Sequence, residues 1–423
     1  MPYKPESRRL GIAQAGRDRH NTFDHQSADE SARLALTSHV LYGLGDWIYS
    51  VAVVVLAYQL GGQLALAAAV LLCQAGGRLL GITFNALGDA AQPRALAIAT
   101  GVARTALIAV LVAVTARDQL WIAMAVAALL GLSGPASEGA RKALTPPNLP
   151  FGHSEGLLYR MVCRWDQIAM ILGSIAAGLA IVLWSERAAF TLAAAMTLAA
   201  TLMLLALPAP GRAQLRGAGE SAAAATWEAF RRLRAFRVLL LALAAGAALG
   251  IAIRVLLVEI VLDIHDGSEL LYGLFIALAG VGAFAGPLSV PRLLGKLPSE
   301  LILAGVTAAL AVALIAARIA QPLALIVPVV IGCGLLAITA ERVTLTVARR
   351  VVPDRDLDQA LRLLAVAAVA GQAAALALVV ALDRLSGSTA VIVALAAGSV
   401  FLAALPILFY MGSGQRSVLD GGD

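Results

Sequence analysis

Charge is scarce in this chain: 14% of its 423 residues are charged, and only three of the basic ones are lysine. A soluble domain carries roughly a quarter. With 60% hydrophobic residues and a mean hydropathy of +0.85, a soluble fold is excluded and a polytopic membrane protein is indicated. Cysteine is equally sparse. Cys73, Cys163 and Cys333 are odd in number, far apart and set in apolar segments, which excludes a disulfide framework. His20, His25, His153 and His265 are scattered and form no metal set. The sequence contains no Gly-x4-Gly-Lys-Ser/Thr phosphate loop, so ATP hydrolysis by that route is excluded. No nucleophile stands near a base in a hydrolytic pattern. The expectation is a protein that is not an enzyme and holds neither cofactor nor metal. No cleavable signal peptide is evident: residues 1–33 are polar and mixed in charge, and the first apolar segment is expected to serve as an uncleaved anchor.

What the chain does have is long apolar runs. About 20 such residues cross a bilayer. Runs of that length lie near 34–60, 64–84, 95–115, 120–140, 157–183, 187–208, 238–262, 269–290, 299–317, 322–344, 361–382 and 389–410. Their apolarity on all sides predicts helices, since barrel strands are shorter and alternate. The expected fold class is an all-α membrane protein with twelve transmembrane helices. Of the 32 Arg and Lys residues, 22 fall in the tails and in every second loop, whereas the opposite loops hold only Arg117, Arg187, Arg318 and Arg384. The positive-inside rule then places both termini in the cytoplasm. The richness in Arg, Ala, Gly and Leu suggests a GC-rich genome and a bacterial cytoplasmic membrane. The net charge of +6 is a topology signal, and no nucleic-acid partner is expected.

The longest inside loop divides the runs six and six. The predicted organisation is a cytoplasmic tail over 1–33, a six-helix half over 34–208, a cytoplasmic linker over 209–237, a second half over 238–410 and a tail over 411–423. Trp227, Phe230, Leu233 and Phe236 alternate with Arg231, Arg232, Arg234 and Arg237, which predicts an amphipathic helix on the inner leaflet. The halves match at an offset of about 204. Gly77 and Gly81 correspond to Gly282 and Gly286, Gly101-Val102 to Gly305-Val306, and Gly131-Leu132 to Gly334-Leu335. Glu138 and Pro150, twelve apart, correspond to Glu341 and Pro353. Parallel repeats imply a pseudo-two-fold axis along the membrane normal with a site between the halves. Small-xxx-small patterns, including Gly246-xxx-Gly250, predict close helix contacts.

On these residues the chain resembles the major facilitator superfamily, and within it bacterial exporters of the macrolide and enterobactin type. "LGDWIYSVAVVVLAYQLGGQLALAAAVLL" is similar to their first two helices, "LSGPASEGARKALTPPNLP" to the end of their fourth, and "TWEAFRRLRAFRVLL" to the lead into their seventh. The family's loop after helix two, roughly G-x-L-x-D-R-x-G-R-R, stands here as Asn85-Ala-Leu-Gly-Asp89-Ala-Ala-Gln-Pro-Arg94. Leu87, Asp89 and Arg94 remain, while the glycines and two basic positions are gone. The resemblance implies rocker-switch transport of a small molecule, a conformational latch at Asp89 and Arg94, and a central path lined by helices one, four, seven and ten. The reduced motif leaves room for a descendant that no longer transports and instead scaffolds an unknown membrane partner.

Twelve ionisable groups lie within the expected spans. Asp46, Glu138, Glu259 and Glu341 place one carboxylate on each of the four path-lining helices. Glu138 and Glu341 are repeat equivalents near the inner ends; with Arg141, Arg160, Arg164 and Arg342 they are expected to form an inner gate. Arg160 and Arg164 make one positive stripe, for which Glu138 is a candidate partner, as Arg141 is for Glu138. Asp166 is a further acid, turned away from Arg164 by its two-residue spacing. The first span is the most polar on one face: His39, Tyr42, Asp46 and Ser50, with Tyr49 adjacent, recur at helical spacing. Asp46 lies about twelve residues, or roughly 18 Å, from the inner end, too deep to snorkel. It is either the ion-pair partner of Arg78 or Arg104, or a titratable carboxyl served by His39 as a proton relay. Tyr42, Tyr49, Ser50, Arg78, Arg104, Arg254 and Glu259 are the expected cavity residues. The leading expectation is a proton-coupled exporter of a small amphiphilic molecule. The alternatives are an importer or flippase for an anionic substrate, favoured by the arginines, and the scaffold.

Overall fold

A computed structural model describes residues 7–84, 92–114, 116–144, 155–207, 234–265, 267–294, 299–319, 323–352, 354–386 and 398. All regular structure among them is helical. The helices are α1 (Ser7–Gly61), α2 (Leu64–Phe84), α3 (Pro93–Leu111), α4 (Leu120–Ala143), α5 (Glu155–Leu183), α6 (Glu186–Ala206), α7 (Arg234–Glu259), α8 (Glu269–Leu294), α9 (Ser299–Ile319), α10 (Leu323–Val351) and α11 (Asp354–Ser386). A 3-10 turn at Arg117–Gln119 precedes α4, and a π turn at Ile260–Ile264 ends α7. In hydrocarbon the backbone has no water to bond, so an apolar run of this length closes its hydrogen bonds internally as a helix. Ten of the helices are long and apolar enough to cross a membrane, and Leu301–Ala316 in α9 is a shorter apolar helix. The expected span at 389–410 and nearly all of the linker lie outside the described residues.

The first helix departs from expectation. Its apolar part, Arg33–Gly61, matches the expected span. The helix itself begins at Ser7 and runs 55 residues, about 80 Å at 1.5 Å per residue. The polar segment expected to be a tail thus continues the helix, because no proline interrupts it between residues 7 and 61 and helix propagation is inexpensive once nucleated.

Packing follows the glycines. A Cβ on Gly77 of α2 would meet the Ala128 carbonyl of α4, and one on Gly131 of α4 would meet the Gln74 carbonyl of α2. The same reciprocal contact recurs between α8 and α10, where Gly282 faces the Ile331 carbonyl and Gly334 faces that of Ala279. Close backbone approach of this kind is what small residues permit in membranes. Gly77 and Gly131 thus sit at crossings like those of Gly282 and Gly334, whereas the matched pair Gly101 and Gly305 does not: Gly101 faces Thr201 of α6 and Gly305 has nothing within 4 Å among the described residues. Gly246 and Gly250 do not follow the pattern: Gly246 makes only an ordinary 3.6 Å contact with Ala340, and Gly250 has nothing within 4 Å among the described residues. On α11 it is Gly371 that meets α7, at the Ala244 carbonyl.

Helix α1 packs on α2, α5 and α6, with lighter contacts to α4 and α7. The pairs α2–α4, α1–α5 and α3–α4 are matched by α8–α10, α7–α11 and α9–α10, each label raised by six. Two further pairs, α5–α8 and α2–α11, join the first group of helices to the second. At the α5–α8 crossing, Gly178 and Gly273 face one another's backbone.

Candidate functional site

The polar stripe of α1 lies inside the bundle. Helix α1 has neighbours on nearly every side, and from Ile48 to Tyr58 its residues are buried. Just before that stretch, Asp46 is only partly buried, with 43% of its side chain exposed. On a helix so enclosed, that exposure opens onto a space between helices, where water can solvate the carboxylate. Asp46 forms an ion pair with Arg104 of α3. Arg104 is only 4% exposed, and it also donates to the Leu130 carbonyl of α4 at 3.3 Å. Of the two sequence alternatives for its partner, the structure places Arg104, not Arg78, beside Asp46.

Tyr42, one turn below Asp46, is held between two guanidinium groups. Arg104 lies 5.2 Å from its ring centroid and Arg141 of α4 lies 4.0 Å away, distances at which the ring quadrupole attracts a cation. Arg141 also donates to Ser38 Oγ at 3.0 Å, and Ser38 in turn donates to the Ala200 carbonyl of α6 at 2.7 Å. Arg141, expected at the inner gate, thus belongs to the α1 cluster.

His39 does not pair with Asp46. Its Nε2 lies 2.8 Å from Asp166 Oδ1 on α5. Spacing along α1 had aligned His39 with Asp46, but two residues seven apart stand about 10 Å apart along the axis, and a carboxylate from another helix is nearer. Arg78 likewise meets Glu138, 2.7 Å away, joining α2 to α4. One expected cavity residue and one expected gate residue therefore form a single pair, with both side chains more than 40% exposed. Arg164 and Glu341 are exposed, whereas Glu259 and Arg342 are partly buried. The side chain of Arg160, and all of Asp89, lie outside the described residues. Arg94 donates to the carbonyls of Leu204 at 3.2 Å and Leu205 at 2.7 Å, a cationic cap on the C-terminal end of α6.

On the other side of α1, Arg254 of α7 bonds Ser50 Oγ and stands 5.1 Å from the Trp47 ring centroid. Tyr272 of α8 donates to the Arg254 carbonyl at 3.3 Å. Tyr49 is fully buried, and its hydroxyl has no hydrogen-bond partner among the described residues.

Beyond this level the bundle is tied shut. Tyr58 donates to Asp263, Gln59 donates to Glu269 at 2.7 Å, and the Ala65 amide donates to Asp383 at 2.8 Å. These bonds join α1 and α2 to the segment after α7, to α8 and to α11, all at one end of the molecule. A cavity of about 200 Å³ at this end, lined by Leu56, Leu111, Glu186 and Phe190 among others, lies within the first group of helices and does not reach the α1 cluster. Sequence reasoning had given no role to Asp166, Ser38, Trp47, Tyr58, Asp263 or Tyr272. Asp166 had a signal, being a buried-span acid with no partner on its own helix. The others become visible only through contacts about 15 to 200 residues apart in sequence.

The chain matches the family model of the Major Facilitator Superfamily over residues 35–348, about three quarters of its length, and it belongs to that superfamily. It is a multi-pass membrane protein with a transporter fold, from a family of transporters of small molecules rather than enzymes. Solved structures agree in fold. The nucleoside transporter NupG superposes with a TM-score of 0.72 at 14% identity, covering 90% of this chain and 98% of that one. A peptide transporter POT in complex with sulfate gives 0.71 at 13% identity over 92% and 95% of the two chains. A POT family transporter in complex with 5-aminolevulinic acid gives 0.70 at 12% identity over 92% and 97%. No functionally curated protein matches the chain by sequence.

Proposed function

We propose that this protein is a proton-coupled secondary transporter that exports a small amphiphilic molecule by alternating access. In this reading twelve helices form two pseudo-symmetric six-helix halves in a bacterial cytoplasmic membrane, with both termini inside. The recurrence of packing pairs and glycine crossings with six added to each label supports the two halves. The basic loops set the Tyr58 end outside, so the bonds to Asp263, Glu269 and Asp383 close the outer face while the α1 cluster communicates with the inside.

The observation that carries the reading is the half-exposed Asp46 held by the buried Arg104. An ion pair sealed from water would serve structure alone. Here water reaches the carboxylate but hardly reaches the guanidinium, so a proton can replace Arg104 as the counter-charge. Protonation of Asp46 breaks the pair and leaves Arg104 on the Leu130 carbonyl and the Tyr42 ring, which it already contacts, and deprotonation restores the pair. A second contact between ionisable groups, His39 of α1 with Asp166 of α5, lies lower in the bundle. A scaffold that no longer transports would have no need for four half-exposed charges at Asp46, Arg78, Glu138 and Asp166.

The test is transport in proteoliposomes with an imposed pH gradient. Asp46→Asn is expected to abolish gradient-driven accumulation while leaving exchange of labelled for unlabelled cargo intact, because the amide mimics the protonated acid. A folded Asp46→Asn protein with full gradient-driven uptake ends the coupling role. Wild-type protein that moves no amphiphile, whatever the gradient, ends the transport reading.

A further inference from the structure

Arg254 differs from the two arginines of the bundle that hold ion pairs with carboxylates. Arg104 has Asp46, and Arg78 has Glu138. Among the described residues the side-chain partners of Arg254 are all neutral: the Ser50 hydroxyl and the face of Trp47. No carboxylate pairs with it, and its Nε is buried without a hydrogen-bond partner. An arginine well inside a transmembrane helix is expensive, and a charge left without a counter-charge is costlier still. The side chain is only partly buried, so a molecule in the central space can reach it. Its place is also telling. Arg254 sits on α7 and binds α1, bridging the two helix groups just inside the closed outer end.

We propose that Arg254 is the specificity-determining residue of the cargo site and that the cargo is an amphiphilic monoanion. Its carboxylate, or an anion of like geometry, takes the place of Ser50 on the Arg254 guanidinium. Its apolar body lies against Trp47. Charge-assisted bonds to a guanidinium are short, directional and strong, and Trp47 supplies the flat apolar surface that an amphiphile requires. The inference rests on the transport reading for the location of the site and goes beyond it in fixing the charge of the cargo.

The test uses the full chain in nanodiscs and matched ligands that share one body and differ in head charge: 4-phenylbutyrate, 4-phenylbutyramide and 4-phenylbutylamine, repeated with longer alkyl bodies. Thermal stabilisation follows ligand affinity. The carboxylates are expected to raise the melting temperature, while the amides and amines are not. Arg254→Gln is expected to weaken carboxylate binding about 10- to 100-fold, the range for loss of a hydrogen bond to a charged group, and Arg254→Lys to keep part of it. Without ligand, Arg254→Gln is expected to melt no lower than wild type, because it removes an unmatched charge; a purely structural arginine would give the opposite. Should Arg254→Gln fail to fold, Arg254→Lys carries the test through its reduced carboxylate response. Stabilisation by amines or amides equal to that by carboxylates overturns the proposal. So does an undiminished carboxylate response in the Arg254 variants, or no response to any carboxylate. Uptake measurements separate the two readings. Arg254-dependent binding without transport leaves the anion site standing and removes the transporter, whereas transport of amines independent of Arg254 does the reverse.

Discussion

At the residue scale, the central question is what a carboxylate does at mid-membrane. Asp46 is paired, yet the pair is asymmetric, with one partner wet and the other 4% exposed. Breaking a fully buried pair costs about 3–5 kcal/mol, because a charge is left behind. Here the guanidinium retains the Leu130 carbonyl and the Tyr42 ring, and the carboxylate was partly solvated. Asp46→Asn is therefore expected to lower stability by about 2 kcal/mol, less than that range. Arg104→Gln in the same chain is expected to restore most of the loss, because no charge then remains unmatched. Thermal unfolding of the two single variants and the double variant in detergent measures this directly. A double variant no more stable than Asp46→Asn would mean that Arg104 has another ionic partner.

At the element scale, glycine placement decides how closely the helices approach. Gly76 and Gly77 are neighbours on α2, but only Gly77 faces the α4 backbone; a Cβ on Gly76 meets nothing within 4 Å. Gly77→Ala is expected to cost about 1–3 kcal/mol through overpacking, and Gly76→Ala close to nothing or a slight gain in helix propensity. Gly282→Ala, at the equivalent crossing of α8 and α10, is expected to behave as Gly77→Ala does. The measurement is the melting temperature of purified protein. Equal effects at Gly76 and Gly77 would mean that the α2–α4 crossing is not set by the glycine. Periodicity alone could not rank these glycines, since it also nominated Gly246 and Gly250, which make no close approach.

At the scale of the whole molecule, the proposed transport cycle assigns the bonds at the Tyr58 end to the closed state of the outer face. Tyr58 donates to an acid, Asp263, and a hydrogen bond to a charged group contributes about 1.5–3 kcal/mol. If that bond exists only with the outer end closed, Tyr58→Phe is expected to raise the outward-open population about tenfold or more. Spin labels at Gln63 and Ser268, in the turns after α1 and before α8, would report it as growth of a longer-distance population. An unchanged distance distribution would remove Tyr58 from the closing contacts. Orientation has its own check. In a background without native cysteines, Ser268→Cys is expected to react with an impermeant thiol reagent applied from outside, and Ser221→Cys is not. The reverse pattern would invert the topology and with it the assignment of the closed end.

The sequence by itself determined the membrane class, the apolar core of each of the eleven described helices, and the family. It also determined that Asp46 needs a partner or water. These follow from local physics: apolar length sets spans, basic loops set expected orientation, and a mid-span acid is costly wherever its helix sits. The matched glycine crossings were legible as well, since Gly77 and Gly131 stand 54 residues apart and Gly282 and Gly334 stand 52 apart. Only the tertiary structure decided the partners. It gave Asp46 to Arg104, Arg78 to Glu138 and His39 to Asp166, and left Arg254 on neutral groups. A helix fixes which of its own residues share a face, but it carries no information about which helix lies opposite or at what depth. With arginines and carboxylates nearly balanced across the spans, many pairings satisfy the same count of charges, and the three-dimensional packing selects one.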